Sequence, residues 1–114
     1  MPEYLGVECA GDAEGVLQDV HWSMGAFGYF PSYAFGNLYG LQFWEKLKED
    51  IPGVDTDLEN MDYTNIHSWL QKNIHQKGRC AEGALLIKDI TGRKLSEKPF
   101  LHYIEKKYSE LYEL

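Results

Sequence analysis

The sequence lacks long hydrophobic runs and is poor in cysteine and in positive charge. No apolar stretch reaches the about 18 residues that a membrane-spanning helix needs. The two cysteines, Cys9 and Cys80, have no metal-ligand spacing and are too few for a disulfide framework. Eleven Lys and Arg stand against eighteen Asp and Glu, and this formal net charge of −7 repels a phosphate backbone. We therefore expect no membrane, no disulfide scaffold and no nucleic-acid partner.

An export signal, which joins a basic start to an apolar segment, is also missing from the first residues. We therefore expect a cytoplasmic protein with reduced thiols. With 114 residues, 44% hydrophobic and 25% charged, the composition is typical of one globular domain or a fragment of one. Within it, glycine and proline interrupt residues 1–30, which we predict to be irregular, whereas residues 31–114 carry helical periodicity.

The periodic part predicts an all-α protein of about four helices. Proline is well tolerated at a first helical position, so Pro31 is expected to begin a helix that ends at Pro52-Gly53. Its face is broad enough to be buried on more than one side, and it includes Leu38, Tyr39, Leu41, Gln42, Trp44 and Leu47. One helical turn is expected in "VDTDLENMDY". A second helix is expected from Thr64 as N-cap to Gly78, with one apolar face formed by Ile66, Trp69, Leu70 and Ile74. A third helix is expected from about Cys80 to Ile90 before Gly92, and Ser96 is expected to cap the last one. The run "ALLIKDI" is the one place where a strand competes.

Histidine spacing gives no metal site in this chain. His21, His67, His75 and His102 include no pair four residues apart and no His-Glu-x-x-His, the spacing that places two imidazoles on one helical face. We interpret the last three as solvated or edge-of-core residues. The chain alone is therefore expected to bind no divalent metal tightly, and spacing alone reveals no self-sufficient active site.

His21 stands out because it lies in the stretch "QDVHW" of an aromatic, glycine-broken segment. Asp19 could fix the tautomer of His21, Gln18 could hydrogen-bond beside it, and Trp22 could shield it from water. Two readings are open. The cluster is either part of a functional site or a polar knot that ties an irregular loop to the core.

The stretch "GVLQDVHW" resembles the Gly-x-x-Gln-Asp-x-His-Trp signature of the carboxypeptidase Taq family of metallocarboxypeptidases. The continuation "GYFPSYAFGNLYGLQFW" and the closing "ITGRKLSEKPFLHYIEKKYSELYEL" are also similar to that family. Its members are mostly helical enzymes that remove single amino acids from peptide C-termini with a divalent metal, Zn or Co. This chain resembles only their last quarter or fifth. The His-Glu-x-x-His helix and later glutamate that hold the metal precede the signature, so the resemblance implies no metal ligand or cofactor here.

The resemblance implies a function in which this chain is the C-terminal portion of such an enzyme and lines the substrate groove. The implied catalytic residues are His21 and Tyr29 or Tyr33, and the implied substrate-binding residues are Gln18, Asp19, His21 and Trp22. Peptide C-termini would be bound once a metal-bearing portion is present, and the isolated chain is expected to be inactive. The alternative is an inactive helical remnant that self-associates or binds another protein. Either way, the aromatic residues between 27 and 47 predict a homo-oligomer.

Overall fold

The computed structural model of the chain describes residues 2–114. Within this range no strand occurs, and no helix is long and apolar enough to cross a membrane. The all-α prediction is therefore confirmed, and the competing strand over "ALLIKDI" is replaced by helix. The helices are α1 (Pro2–Leu5), α2 (Pro31–Asp50), α3 (Val54–Glu59), α4 (Thr64–Asn73), α5 (Gly83–Thr91) and α6 (Lys98–Tyr112).

The chain divides into two compact units, one through Tyr33 and the other over residues 34–114. The first is more regular than the sequence predicts. Besides α1, it contains single 3-10 turns at Asp12–Glu14 and Val16–Gln18. Such a turn needs only a few residues with i to i+3 hydrogen bonds, so frequent glycines do not exclude it. These elements are short, and no long helix or strand occurs between residues 2 and 30. The assignment of residues 1–114 to a single domain or fragment stays a prediction.

Local signals set the ends of the helices in the second unit. Thr64 is the first residue of α4 and not its N-cap as predicted, since Tyr63 has the N-cap position and makes no side-chain cap hydrogen bond. The Asp62 side chain accepts a hydrogen bond from the Thr64 backbone N–H at 2.9 Å. Helix α5 begins at Gly83, later than predicted, and ends at Thr91. Gly92, which follows it, adopts the left-handed conformation (φ 72°) typical of a helix end. At the start of α6, the Ser96 hydroxyl accepts from the Lys98 N–H at 3.2 Å.

A hydrophobic core lies inside residues 34–114. Leu47 of α2, Val54 of α3, Trp69 of α4 and Ile90 of α5 are buried and form one cluster. Ile66, Leu70 and Ile74 pack against it half-buried, which confirms the apolar face predicted for α4. Burying one side chain of this size contributes roughly 1.5–3 kcal/mol, so these side chains are the main apolar stabilisation of this unit.

Two polar clusters join the helices around this core. On α2, Gln42 is 5% exposed. Its amide nitrogen donates to Thr91 Oγ1 at 3.2 Å and to the Lys94 carbonyl at 3.0 Å, and its amide oxygen accepts from the Ser96 N–H at 3.0 Å. This single side chain therefore fastens α2 to the segment that connects α5 and α6.

The second cluster is built on Asp50 at the end of α2. It accepts hydrogen bonds from Lys46 at 2.6 Å and from the Trp69 indole N–H at 2.8 Å. These donors, Lys46 first and then Trp69, hold the pKa of Asp50 below its usual value. The cluster gives the one polar atom of the Trp69 ring a partner at the edge of the core.

Candidate functional site

Two glycines turn the chain after His21. Gly25 (φ 73°) and Gly28 (φ 78°) adopt the left-handed conformation, which is costly for residues with a Cβ. Ala26 N–H donates to the His21 carbonyl at 2.8 Å, and Tyr29 N–H donates to the Ala26 carbonyl at 3.3 Å. These two successive turns bring the aromatic residues that begin at Tyr29 back to the His21 ring.

Asp19 holds His21 through two contacts to one oxygen. Asp19 Oδ1 accepts from the His21 backbone N–H at 3.0 Å and lies 2.8 Å from the ring Nδ1. The backbone hydrogen bond and then the ring contact keep the pKa of Asp19 below its usual value. A carboxylate only accepts hydrogen bonds, so Nδ1 carries the proton and Nε2 is the nitrogen left for another partner. The structure thus brings together the pair that the sequence singled out.

Two aromatic rings flank the His21 imidazole. Ring centroids lie 4.7 Å away for Phe30 and 5.0 Å away for Tyr29. The His21 side chain is 34% exposed, compared with 59% for its partner Asp19. Phe30 was not among the residues predicted for the site. Only the aromatic richness of the stretch pointed to it, because its approach to His21 depends on the turns at Gly25 and Gly28.

Tyr29 and Tyr33, one helical turn apart, form a pair. The Tyr33 hydroxyl donates to the Tyr29 hydroxyl at 3.2 Å, and the rings meet edge to face with centroids 5.5 Å apart. This hydrogen bond raises the pKa of Tyr33, because the donating hydroxyl must keep its proton. The structure therefore places both predicted tyrosines beside each other and one of them, Tyr29, beside His21.

Gln18 and Trp22 lie apart from this cluster. The Gln18 amide nitrogen donates to the Ala13 carbonyl and so closes the preceding turn. The Trp22 ring packs on Phe27, with centroids 6.5 Å apart, and is 69% exposed. The expectation that Trp22 shields His21 from water is therefore not met, and Tyr29 and Phe30 have that position instead.

Comparison with known proteins identifies the family. The model of the carboxypeptidase Taq (M32) metallopeptidase family matches residues 1–108. This chain belongs to that family. The resemblance to this family that the sequence indicated is thereby confirmed.

The M32 relatives are much longer than this chain. Carboxypeptidase 1 of Bacillus subtilis is 45% identical over 110 residues, which cover 96% of this chain and 22% of that protein. Thermostable carboxypeptidase 1 of Thermus thermophilus is 38% identical over 110 residues, with the same coverage. The crystal structure of the M32 carboxypeptidase from Deinococcus radiodurans matches with a TM-score of 0.81 and 36% identity, over 99% of this chain and 23% of that one. The chain therefore spans about a fifth of the length of its relatives.

M32 enzymes are metal-dependent, but the residues described here do not form a metal centre. Among residues 2–114, no three His, Cys, Asp or Glu side chains come together as a group that could hold a metal ion. His67 and His75 approach each other, with ring centroids 6.5 Å apart, but no third ligand joins them in this range. No chemical step is therefore assigned to a metal here, and the expectation that the isolated chain binds none stays a prediction.

Proposed function

We propose that this chain is the C-terminal portion of a metal-dependent carboxypeptidase that removes single residues from peptide C-termini. In this proposal the segment from Gln18 to Tyr33 forms part of the substrate groove, and residues outside this chain hold the divalent metal. The observation that carries the proposal is the 2.8 Å contact between Asp19 and His21 inside the family signature. It orients an imidazole on a partly exposed surface, where a peptide can reach it.

His21 would act through Nε2. Because Nδ1 is bonded to Asp19, a protonated ring has one N–H left, and this N–H can donate to the terminal carboxylate of a peptide. It can equally donate to the oxygen that becomes negative when the amide carbon is attacked. Asp19 acts as a positioning residue, since it holds the ring through Nδ1 and so leaves Nε2 for the substrate.

The tyrosine pair would supply a second donor. Tyr29 accepts the hydrogen bond of Tyr33, so the proton of the Tyr29 hydroxyl is not used in that bond and can be donated to substrate. Hydrogen bonds in such a chain polarise one another, so the Tyr33 donor strengthens the one that Tyr29 offers. We therefore assign Tyr29 to the substrate and Tyr33 to its support.

Gln18 and Trp22 have less direct parts in this proposal. With its nitrogen bonded to the Ala13 carbonyl, the amide of Gln18 can still offer its oxygen to a substrate N–H. The largely exposed Trp22 ring would form an apolar wall of the groove for a peptide side chain.

A complementation assay tests the role of His21. The chain is co-expressed with the metal-bearing portion of an M32 enzyme, and peptide hydrolysis is measured with Zn²⁺ or Co²⁺. We expect no activity without the partner portion. In the complemented enzyme, His21→Ala should lower kcat/KM by roughly 10²–10³, the usual cost of removing one such donor. Asp19→Asn should act in the same direction but more weakly.

Helical circular dichroism and a second histidine provide the controls. His67→Ala removes an exposed imidazole from α4 and should leave both activity and helicity unchanged. If His21→Ala keeps its activity but melts at a clearly lower temperature, the cluster is a polar knot that stabilises its loop. His21 would then be removed from the candidate site.

A second candidate function is that of an inactive helical remnant that self-associates or binds another protein. The observation that favours it is the exposure of large apolar side chains in the unit through Tyr33. Among these, Phe27 is 77% exposed, Met24 70% and Trp22 69%. The complementation assay separates the two candidates, because a remnant would remain inactive with every metal-bearing partner while still forming oligomers.

A further inference from the structure

We infer that Phe30 is a positioning residue, which holds the His21 ring in the orientation that presents Nε2. The inference rests on the proposed function for its effect on catalysis. The arrangement itself is a property of this chain alone. Phe30 has no part in the roles given above to His21, Asp19 and the two tyrosines.

One hydrogen bond does not fix an imidazole. The contact between His21 Nδ1 and Asp19 Oδ1 sets a distance of 2.8 Å but leaves the ring able to swing about that contact. Rotation about the last side-chain bond of histidine is broad, so the bond alone selects no narrow orientation. A second restraint must come from groups in contact with the ring faces.

The rings of Phe30 and Tyr29 supply that restraint. Phe30 lies 4.7 Å from the His21 ring at an angle of 51°, and Tyr29 lies 5.0 Å from it at 32°. The two are also 5.9 Å apart and nearly perpendicular to each other, so each supports the other. Phe30 is the closer ring, and it has no hydroxyl to offer a substrate. Its contribution is therefore contact with the imidazole.

The position of Phe30 is itself restricted. It precedes Pro31, the first residue of α2, and a residue before proline has a reduced choice of backbone conformations. Its ring also packs against Tyr33 one turn into the helix, with centroids 6.4 Å apart and planes 29° from parallel. Because the start of α2 restricts its backbone and Tyr33 supports its ring, Phe30 can restrict the orientation of the His21 ring.

Nuclear magnetic resonance of the isolated chain tests this inference without any activity. In the wild type, nuclear Overhauser cross-peaks should connect the ring protons of His21 and Phe30. In Phe30→Leu, the His21 shifts change through the loss of the Phe30 ring current alone, so the orientation is followed by the cross-peaks between His21 and Tyr29, whose rings lie 5.0 Å apart. These cross-peaks should weaken. The preferred orientation should lose roughly two- to tenfold in population, as expected for one aromatic pair. Phe30→Tyr keeps the ring and should restore the wild-type cross-peaks.

Phe27→Leu is the matched control. Phe27 lies in the same segment but packs on Trp22 and is 77% exposed, so its removal should leave the His21–Tyr29 cross-peaks unchanged. Missing cross-peaks in the wild type, or His21–Tyr29 cross-peaks of equal intensity in the two leucine variants, would overturn the inference. If Phe30→Leu does not fold, the wild-type cross-peaks and Phe30→Tyr still decide the matter.

The complemented enzyme separates this inference from the proposed function. If both hold, Phe30→Leu lowers kcat/KM by roughly two- to tenfold, and Phe30→Tyr restores it. If the His21–Tyr29 cross-peaks weaken in Phe30→Leu while activity does not change, the positioning contact is real and the catalytic role of His21 is wrong. If these cross-peaks keep their intensity, the positioning role of Phe30 is wrong, whatever the activity.

Discussion

Replacing Gln42 with leucine should destabilise the unit of residues 34–114 more than any exposed substitution. Gln42 is nearly fully buried, and its amide makes three hydrogen bonds, to Thr91, Lys94 and Ser96. Leucine has a similar volume and is apolar, so Gln42→Leu removes these bonds without opening a large cavity. The change therefore tests the polar contacts and not the packing.

The size of the effect follows from those contacts. Each hydrogen bond contributes about 0.5–1.5 kcal/mol net, so the three together are worth about 1.5–4.5 kcal/mol. Thr91 and Ser96 are half-buried and Lys94 is exposed, so water can reach part of what leucine leaves unpaired. Because water can reach these groups, the expected loss in the free energy of unfolding is close to the sum of the three net hydrogen-bond contributions. It is smaller than the full penalty for leaving buried polar groups unpaired. Domains are commonly stable by only about 5–15 kcal/mol, so the change is readily measured.

Urea unfolding is the assay, followed by tryptophan fluorescence, because Trp69 lies in the core of the same unit. Gln71→Leu is the matched control, since Gln71 is an exposed glutamine of α4. We expect the midpoint of Gln42→Leu to fall well below that of the control, with an unchanged denaturant slope. Midpoints that agree within error would refute the reasoning that the Gln42 amide fastens α2 to the segment between α5 and α6.

Three further outcomes are expected. Hydrogen bonding from Lys46 lowers the pKa of Asp50, so ionised Asp50 stabilises the folded state above the ordinary aspartate pKa. This contribution to the free energy of unfolding is lost as pH falls through the lowered pKa of Asp50. Urea midpoints should therefore fall less steeply on acidification in Asp50→Asn than in the wild type. Gly92→Ala should lower the melting temperature at a cost of about 1 kcal/mol because of its left-handed backbone, whereas Gly40→Ala inside α2 should raise it. Sedimentation should show a dimer or larger oligomer through residues 27–47, and a monodisperse monomer at micromolar concentration would contradict this.

The helices could be predicted from the sequence because the residues that start and end them act locally. Pro31 at the first helical position, Pro52-Gly53 after the end of α2 and Gly92 after α5 each act within one turn of chain. The start of α4 was predicted one residue off, because Thr64 is the first helical residue and Tyr63, which has no typical capping side chain, lies at the N-cap. Side-chain preference alone does not fix a helix end to the residue.

Hydrogen-bond partners that lie far apart in the sequence could not be predicted in the same way. The helical spacing placed Gln42 on a face expected to be buried, and the structure buries it. Its partners lie 49 or more residues further along the chain, and nothing in the local pattern indicates them. Periodicity predicts which face of a helix is buried but not which backbone groups it meets there.

In the candidate site, too, the contact between near neighbours in sequence was predictable and the more distant contact was not. Asp19 and His21 are two residues apart, and their contact was predictable from that spacing alone. Phe30 is nine positions from His21, and its approach needs the positive φ angles of Gly25 and Gly28. Glycine permits such angles without requiring them, so the sequence pointed to the neighbouring Trp22 and not to Phe30 as the cover of the imidazole.

Under the proposed function, this local arrangement would matter for assembly, because the chain spans only about a fifth of the length of its relatives. The contacts described for His21 are all made between residues 19 and 30, so forming them closes only short loops. A site whose parts are arranged before assembly loses little affinity to reorganisation, because the competent orientation is already the populated one. The contribution of this chain would then depend on docking with the metal-bearing portion and not on folding around it. Loss of the Gln42 contacts should accordingly lower the stability of residues 34–114 while leaving the His21 resonances in place.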